Sequence, residues 1–120
     1  MNANLQEADF KRTVLRDASL DRALLGGVHL ENAELDHAHL VGVNLLYANL
    51  RRASLRGADF RHAEIERTNL EDANLEGALL SEAHIKDVNL KGSYFNRDTT
   101  FPPGFEATAH GMKGRSSQGI

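Results

Sequence analysis

Arg51, Arg52, Arg56, Arg61 and His62 crowd into one short stretch, ANLRRASLRGADFRHAEI. Cations at that density suit contact with phosphate oxygens, so the stretch raises the question of nucleic-acid binding. A little upstream, DHAH brings Asp36, His37 and His39 together, oxygen and nitrogen donors of the kind that hold a divalent cation. The rest of the chain bounds both ideas. It has 120 residues with a net charge of −3, which argues against a general polyanion binder, and no cysteine for a disulfide or a thiolate metal site. MNANLQEADF contains no basic segment followed by an apolar one, as a secretory signal would. Nothing approaches the roughly 18 consecutive apolar residues of a membrane span. The expectation is one soluble cytoplasmic domain with a modest core, no membrane association and no cofactor.

What positions these side chains is an internal repeat. Every fifth residue from Leu5 to Phe95 is large and apolar: fourteen Leu, three Phe (Phe10, Phe60, Phe95) and two Ile (Ile65, Ile85). Two residues before each stands a small one, thirteen times Ala and otherwise Val28, Val43, Val88, Thr13, Thr68 or Ser93. The slot between them is usually polar, as at Asn4, Asp9, Asn49, Asp59, Asn69, Asn74 and Asn89. Five residues turn an α-helix by about 500°, so the Leu would precess around the axis. On a continuous strand an odd period sends successive Leu to opposite faces. The chain must bend once per unit if every Leu is to reach one core. Stacked coils then pair backbone groups between layers as a sheet does.

Units such as ANLQE, ADFKR, ANLRR, ADFRH and ANLEG resemble those of the pentapeptide-repeat proteins, whose motif reads Ala-(Asp/Asn)-Leu-any-any. The resemblance runs over about residues 3–97 and implies an all-β fold, a right-handed quadrilateral β-helix with four units per coil. Nineteen units then make nearly five coils, about 23 Å tall at roughly 4.8 Å per layer. The division expected is 1–97 for the β-helix and 98–120 for a C-terminal cap and mobile tail. In the cap, Phe101 and Phe105 cover the last coil, Pro102 and Pro103 stop further strand growth, and TTFPPGF resembles the closing tail of some bacterial members. The final KGRSSQGI is expected to be mobile. At the other end only Met1 and Asn2 precede the repeat, so Leu5 and Phe10 are expected to be buried by a second copy, making a homo-oligomer.

With that coil, residues 20 apart stack in columns. Ser19, His39 and Asp59 fall in one column, a nominal nucleophile, base and orienter. A flat wall gives them no pocket and no oxyanion hole, so no catalytic residue is assigned. Asp36, His37 and His39 stack no histidine on another, and adventitious surface binding is expected there rather than a built metal site. Leu24, Val41, Leu46 and Tyr47 put apolar groups in outward slots, with Gly26 and Gly27 beneath Leu46 and Tyr47, and Arg67 above Tyr47 for a cation–π contact. Contiguous exposed apolar surface marks an interface, so these five residues are the candidate interaction patch.

The same columns answer the arginine question. Arg51 falls between Glu31 and Glu71, and Arg56 between Asp36 and Glu76. In the slot after each Leu, the 20-residue offset gives eight opposite-charge pairs and no like-charge pair, with Arg61 alone of the run's first-slot arginines lacking a charged partner. Opposite charges on adjacent strands help modestly, so the run reads as one layer of an alternating ladder, and no nucleic-acid binding is expected. The functional expectation is a non-catalytic structural or protein-interaction module, its partner another protein. The alternative carried by the resemblance is a topoisomerase-binding DNA mimic of the quinolone-resistance type. Against it, residues 1–97 hold fifteen acidic and twelve basic side chains, mixed rather than acidic.

Overall fold

A computed structural model describes residues 3–116. Each unit is a short extended stretch followed by a tight turn. In most units the amide of the small residue donates to the carbonyl of the preceding large one, as in Ala8 to Leu5 at 3.1 Å and Ala53 to Leu50 at 3.0 Å, whereas Thr68 and Val88, which follow β-paired stretches, make no such bond. The second turn residue is left-handed at twelve non-glycine positions, among them Glu7, Arg52 and Asp72, and at Gly27, Gly42, Gly57, Gly77 and Gly92. A positive φ at that position is the signature of a type II turn. The turn explains how an odd period can keep one face inward, because the chain changes direction before the next Leu arrives.

Turns advance the chain around a coil, and parallel bridges join each coil to the next. Asn4 pairs with Leu24, Leu24 with Asn44 and Asn44 with Glu64, while Asp9, Val14 and Ser19 start three further columns at the same 20-residue offset. Leu5 N–H donates to Leu24 O, and Leu24 N–H donates to Ala3 O, both at 2.8 Å. Where the pairing lengthens, strand β1 (Glu64–Glu66) lies parallel to β2 (His84–Lys86), with Ile65 opposite Ile85. The middle slot favours Asn and Asp for a local reason. Their Oδ1 accepts the amide two residues on, as Asn49 does from Arg51 at 3.1 Å and Asn69 from Glu71 at 3.0 Å.

The Leu column and the small-residue column are both inward. Leu25, Leu30, Leu35, Leu40, Leu45, Leu50, Leu55, Phe60 and Leu75 are all buried, with Ala58, Ala73 and Val43 between them. Thr68, buried in an Ala slot, donates its hydroxyl to Leu45 O at 2.8 Å. The first coil differs, since Leu5, Phe10, Leu15 and Leu20 are only partly buried and Val14 is exposed.

At the other end Phe101 lies edge-on to Phe95 at 5.6 Å, stacks on Phe105 at 5.1 Å, and Phe105 stacks on His110 at 4.5 Å. His110 ends the short 3-10 helix Thr108–His110, after which Met112 is buried. The tail also extends the ladder, contrary to the expected stop at Pro102 and Pro103. Thr100 bridges Leu79, and strand β4 (Lys113–Gly114) pairs in parallel with β3 (Tyr94–Phe95). The two prolines lie in the connection between those pairings, so their missing N–H groups cost no ladder bond. Lys113 and Arg115, expected in a mobile tail, are placed by backbone bonds to Ser93 O and Phe95 O, each at 2.8 Å. Residues 1–2 and 117–120 lie outside the described residues.

Candidate functional site

Tyr47 occupies the left-handed second position of its turn, φ +61°, and that geometry throws its side chain off the corner of the coil. It is 58% exposed, one of two exposed large hydrophobic side chains among the described residues. From one coil above, Arg67 donates from Nη1 to the Tyr47 hydroxyl and holds its guanidinium carbon 5.5 Å from the ring centre. One coil below, both turn residues are glycine. Gly26 and Gly27, with Gln6, Glu7, Asn44, Leu46 and Tyr47, line an open groove of about 370 Å³. Glu7 reaches up into it: a Cβ built on Gly27 would stand 3.0 Å from Glu7 Cγ and 3.9 Å from its Oε2.

Of the five patch residues read from the sequence, Leu46 and Tyr47 therefore line the groove and Arg67 braces the ring. Leu24 and Val41 are partly buried. Leu24 is held by its bridges to Asn4 and Asn44, and the Val41 backbone N–H donates a hydrogen bond to Asp21 Oδ1 at 2.9 Å. Sequence reasoning missed Glu7 as a site residue, although the 20-residue column that runs through Gly27, Tyr47 and Arg67 begins at it.

The arginine run is dispersed by the coil, but its pairing differs from the columns read in the sequence. Of the eight vertical pairs expected, Arg51–Glu71 closes, at 3.2 Å, and among the described residues no other does. Arg16 takes Glu34 at 3.7 Å, and Glu76 takes Arg115 at 3.4 Å. Asp36 accepts the backbone amide of Arg56 at 3.0 Å and the hydroxyl of Ser54 instead of a guanidinium. Arg61, expected to lack a partner, has one within its own unit: its Nη2 stands 2.7 Å from Asp59 Oδ2 and its Nε 2.9 Å from Oδ1. Long flexible side chains reach diagonally as easily as vertically, so an exact column offset is a poor guide to the pair that forms.

Arg61 decides the fate of the Ser19–His39–Asp59 column as well. The three are bridge neighbours, but the Arg61 guanidinium bonds to Asp59 and holds its carboxyl below the usual range. The carboxylate is thus committed to an arginine rather than orienting an imidazole. Asp36 is likewise occupied, and His37 lies over Gly57, its Nδ1 2.5 Å from where a Cβ would stand. Among the described residues no three His, Cys, Asp or Glu side chains gather as metal ligands. A second groove, about 600 Å³, mixes Asp9 and Glu31 with Lys11, Arg12 and Arg51. Sequence reasoning also missed a cluster at the upper end. There Arg115 lies 3.5 Å from the centre of the Tyr94 ring while its Nη1 faces Glu76 Oε1 at 3.4 Å.

A family model described as pentapeptide repeats matches residues 2–32, 23–61, 33–72 and 58–97. Among solved structures, a pentapeptide repeat protein from the thylakoid lumen of Arabidopsis thaliana is 31% identical, with a TM-score of 0.79 over 85% of this chain and 70% of that one. HetL, involved in heterocyst differentiation regulation in Nostoc sp. strain PCC 7120, is 32% identical, with a TM-score of 0.54 over 82% of this chain and 47% of its own. QnrB1, a plasmid-mediated fluoroquinolone resistance protein, aligns over 98% of this chain at 18% identity and a TM-score of 0.41. A comparison with curated proteins finds no match. The repeat model and the lumenal neighbour agree with the five-residue period and the parallel ladder: this chain is a β-helix-type solenoid and belongs to the pentapeptide repeat family.

Proposed function

We propose that this chain is a non-catalytic interaction module, a right-handed four-sided β-helix of nearly five coils that binds another protein through the face carrying Tyr47. The observation that carries this reading is an aromatic ring 58% exposed and braced by Arg67 beside a corner stripped of side chains. A fixed ring on a rigid wall loses little entropy when a partner covers it. The occupied carboxylates of Asp36 and Asp59 support a non-catalytic role, and the mixed charge of the walls weighs against imitation of duplex DNA. The partly buried first coil, around Leu5 and Phe10, suits a second copy stacked edge to edge, because the rim leaves strand groups unpaired beside apolar surface.

The test is quantitative affinity capture with wild-type and Tyr47→Glu baits, expected to differ by loss of a specific partner from the variant. Identical partner sets would overturn the assignment of this face. For the rim, light scattering should report a dimer that Val14→Lys disperses, and a monomer at high micromolar concentration would remove that part of the reading.

A further inference from the structure

We propose that the corner groove receives an arginine side chain projecting from the partner protein, with the guanidinium between the Tyr47 ring and the Glu7 carboxylate. The inference rests on the reading of the Tyr47 face as an interface and adds what that face recognises. Three observations lead to it.

Gly26 and Gly27 remove two side chains from a corner column that elsewhere carries Gln6 and Glu7, Leu46 and Tyr47, Glu66 and Arg67, and Lys86 and Asp87. The result is a notch one coil high. Tyr47 stands on one side of it and Glu7 on the other, two layers apart, or about 9.6 Å at roughly 4.8 Å per layer. That gap has room for a planar cation lying against a ring and hydrogen-bonded to a carboxylate.

Charge then selects the occupant. The Glu7 side chain leans over Gly27, and among the described residues it has no ion-pair partner. Arg67 is spent on Tyr47 from above. An acidic group facing an aromatic ring across bare backbone calls for a cation with apolar faces, which guanidinium supplies better than the more strongly hydrated ammonium.

The molecule also contains a filled version of this clamp. Arg115 from the C-terminal segment lies 3.5 Å from the Tyr94 ring centre and 3.4 Å from Glu76 Oε1. There a tyrosine and a glutamate on the wall hold an arginine delivered by another stretch of chain. Tyr47 and Glu7 present the same pair of groups with the arginine position open.

The probe is acetyl-Gly-Arg-Gly-amide, titrated into the ¹⁵N-labelled chain to 50 mM, beside the same peptide carrying citrulline, a neutral isostere of arginine. The expected result is saturable shifts at the amides of Gly26, Gly27 and Glu7, with a Kd of about 1–10 mM, the range open to one ion pair and one cation–π contact. Citrulline should bind at least about tenfold more weakly, since it lacks the charge. Gly26→Gln fills the notch without strain, because its Cβ would meet nothing closer than Leu46 O at 3.5 Å. That variant should keep the wild-type spectrum elsewhere and lose the shifts. Equal response to both peptides, no saturable shift at Gly26 and Gly27, or undiminished binding by Gly26→Gln would overturn the proposal. If the arginine peptide fails while Tyr47→Glu still loses its captured partner, the arginine assignment falls and the interface stands. If both fail, both fall.

Discussion

Leu50→Ala tests whether the coils hold the core rigidly. Leu50 is 1% exposed, with Leu30 at 1% in the coil below and Leu70 at 3% in the coil above. Removing three carbons forfeits about 2.4 kcal/mol at roughly 0.8 kcal/mol per group. Collapse into the space is opposed by the ladder, because Leu50 N–H is tied to Asn69 O at 2.7 Å and Asn49 N–H to Val28 O at 2.9 Å. A residual cavity on the order of 60 Å³ adds about 1.4 kcal/mol at roughly 24 cal/mol per Å³, for a total near 4 kcal/mol. The same change at Leu5, only partly buried at the rim, leaves no enclosed cavity and should cost about 1 kcal/mol. Equilibrium unfolding in urea, followed by far-ultraviolet circular dichroism, reads both. With a slope of about 2 kcal/mol per molar, Leu50→Ala lowers the midpoint by about 2 M. A loss below about 1.5 kcal/mol, or one equal to that of Leu5→Ala, would refute the picture of a core whose layers cannot close a gap.

Gly77→Ala isolates backbone strain: its Cβ would meet nothing closer than Gly57 N at 3.6 Å, but φ is +73°, so a cost of about 1–2 kcal/mol in the same urea assay is expected, and no cost would refute the left-handed turn. Asp59 has a folded pKa lowered by Arg61, so its contribution is present above the unfolded value of about 3.9 and is lost as pH falls through the folded one. Asp59→Asn should therefore lose less stability than wild type between about pH 5 and pH 3, and parallel pH profiles would contradict the assignment. Fluorescence anisotropy with a labelled duplex should detect no salt-sensitive binding, whereas a micromolar affinity abolished by Arg51→Ala with Arg56→Ala would restore the nucleic-acid reading.

The repeat was legible because burial acts on each unit separately. Leu at every fifth position and Ala two before it can face one core only if the chain turns once per unit, and that needs no knowledge of distant residues. The Asn and Asp of the middle slot were visible as a preference whose cause, a bond to the amide two residues on, is also local. The patch was half legible: Tyr47, Leu46 and Arg67 follow from stacking residues 20 apart, whereas Leu24 and Val41 do not line the groove.

Side-chain pairing was beyond the sequence. Arg61 looked partnerless in its column yet binds Asp59 beside it, and Arg16 passes over Asp36 for Glu34. Exposed charges a few ångströms apart differ little in energy, so reach and rotamer choose among them. The tail was similar, because whether Lys113 and Arg115 join the ladder depends on Tyr94, Phe95 and Glu76 already being stacked where they can be met. The solenoid, its period and its inward faces are written into the residue pattern, since they follow from burial repeated unit by unit. Which charges pair, how the C-terminal segment docks, and that the Glu7 side chain leans over Gly27 emerge only in the folded molecule, since each depends on side chains that only the closed coils bring together.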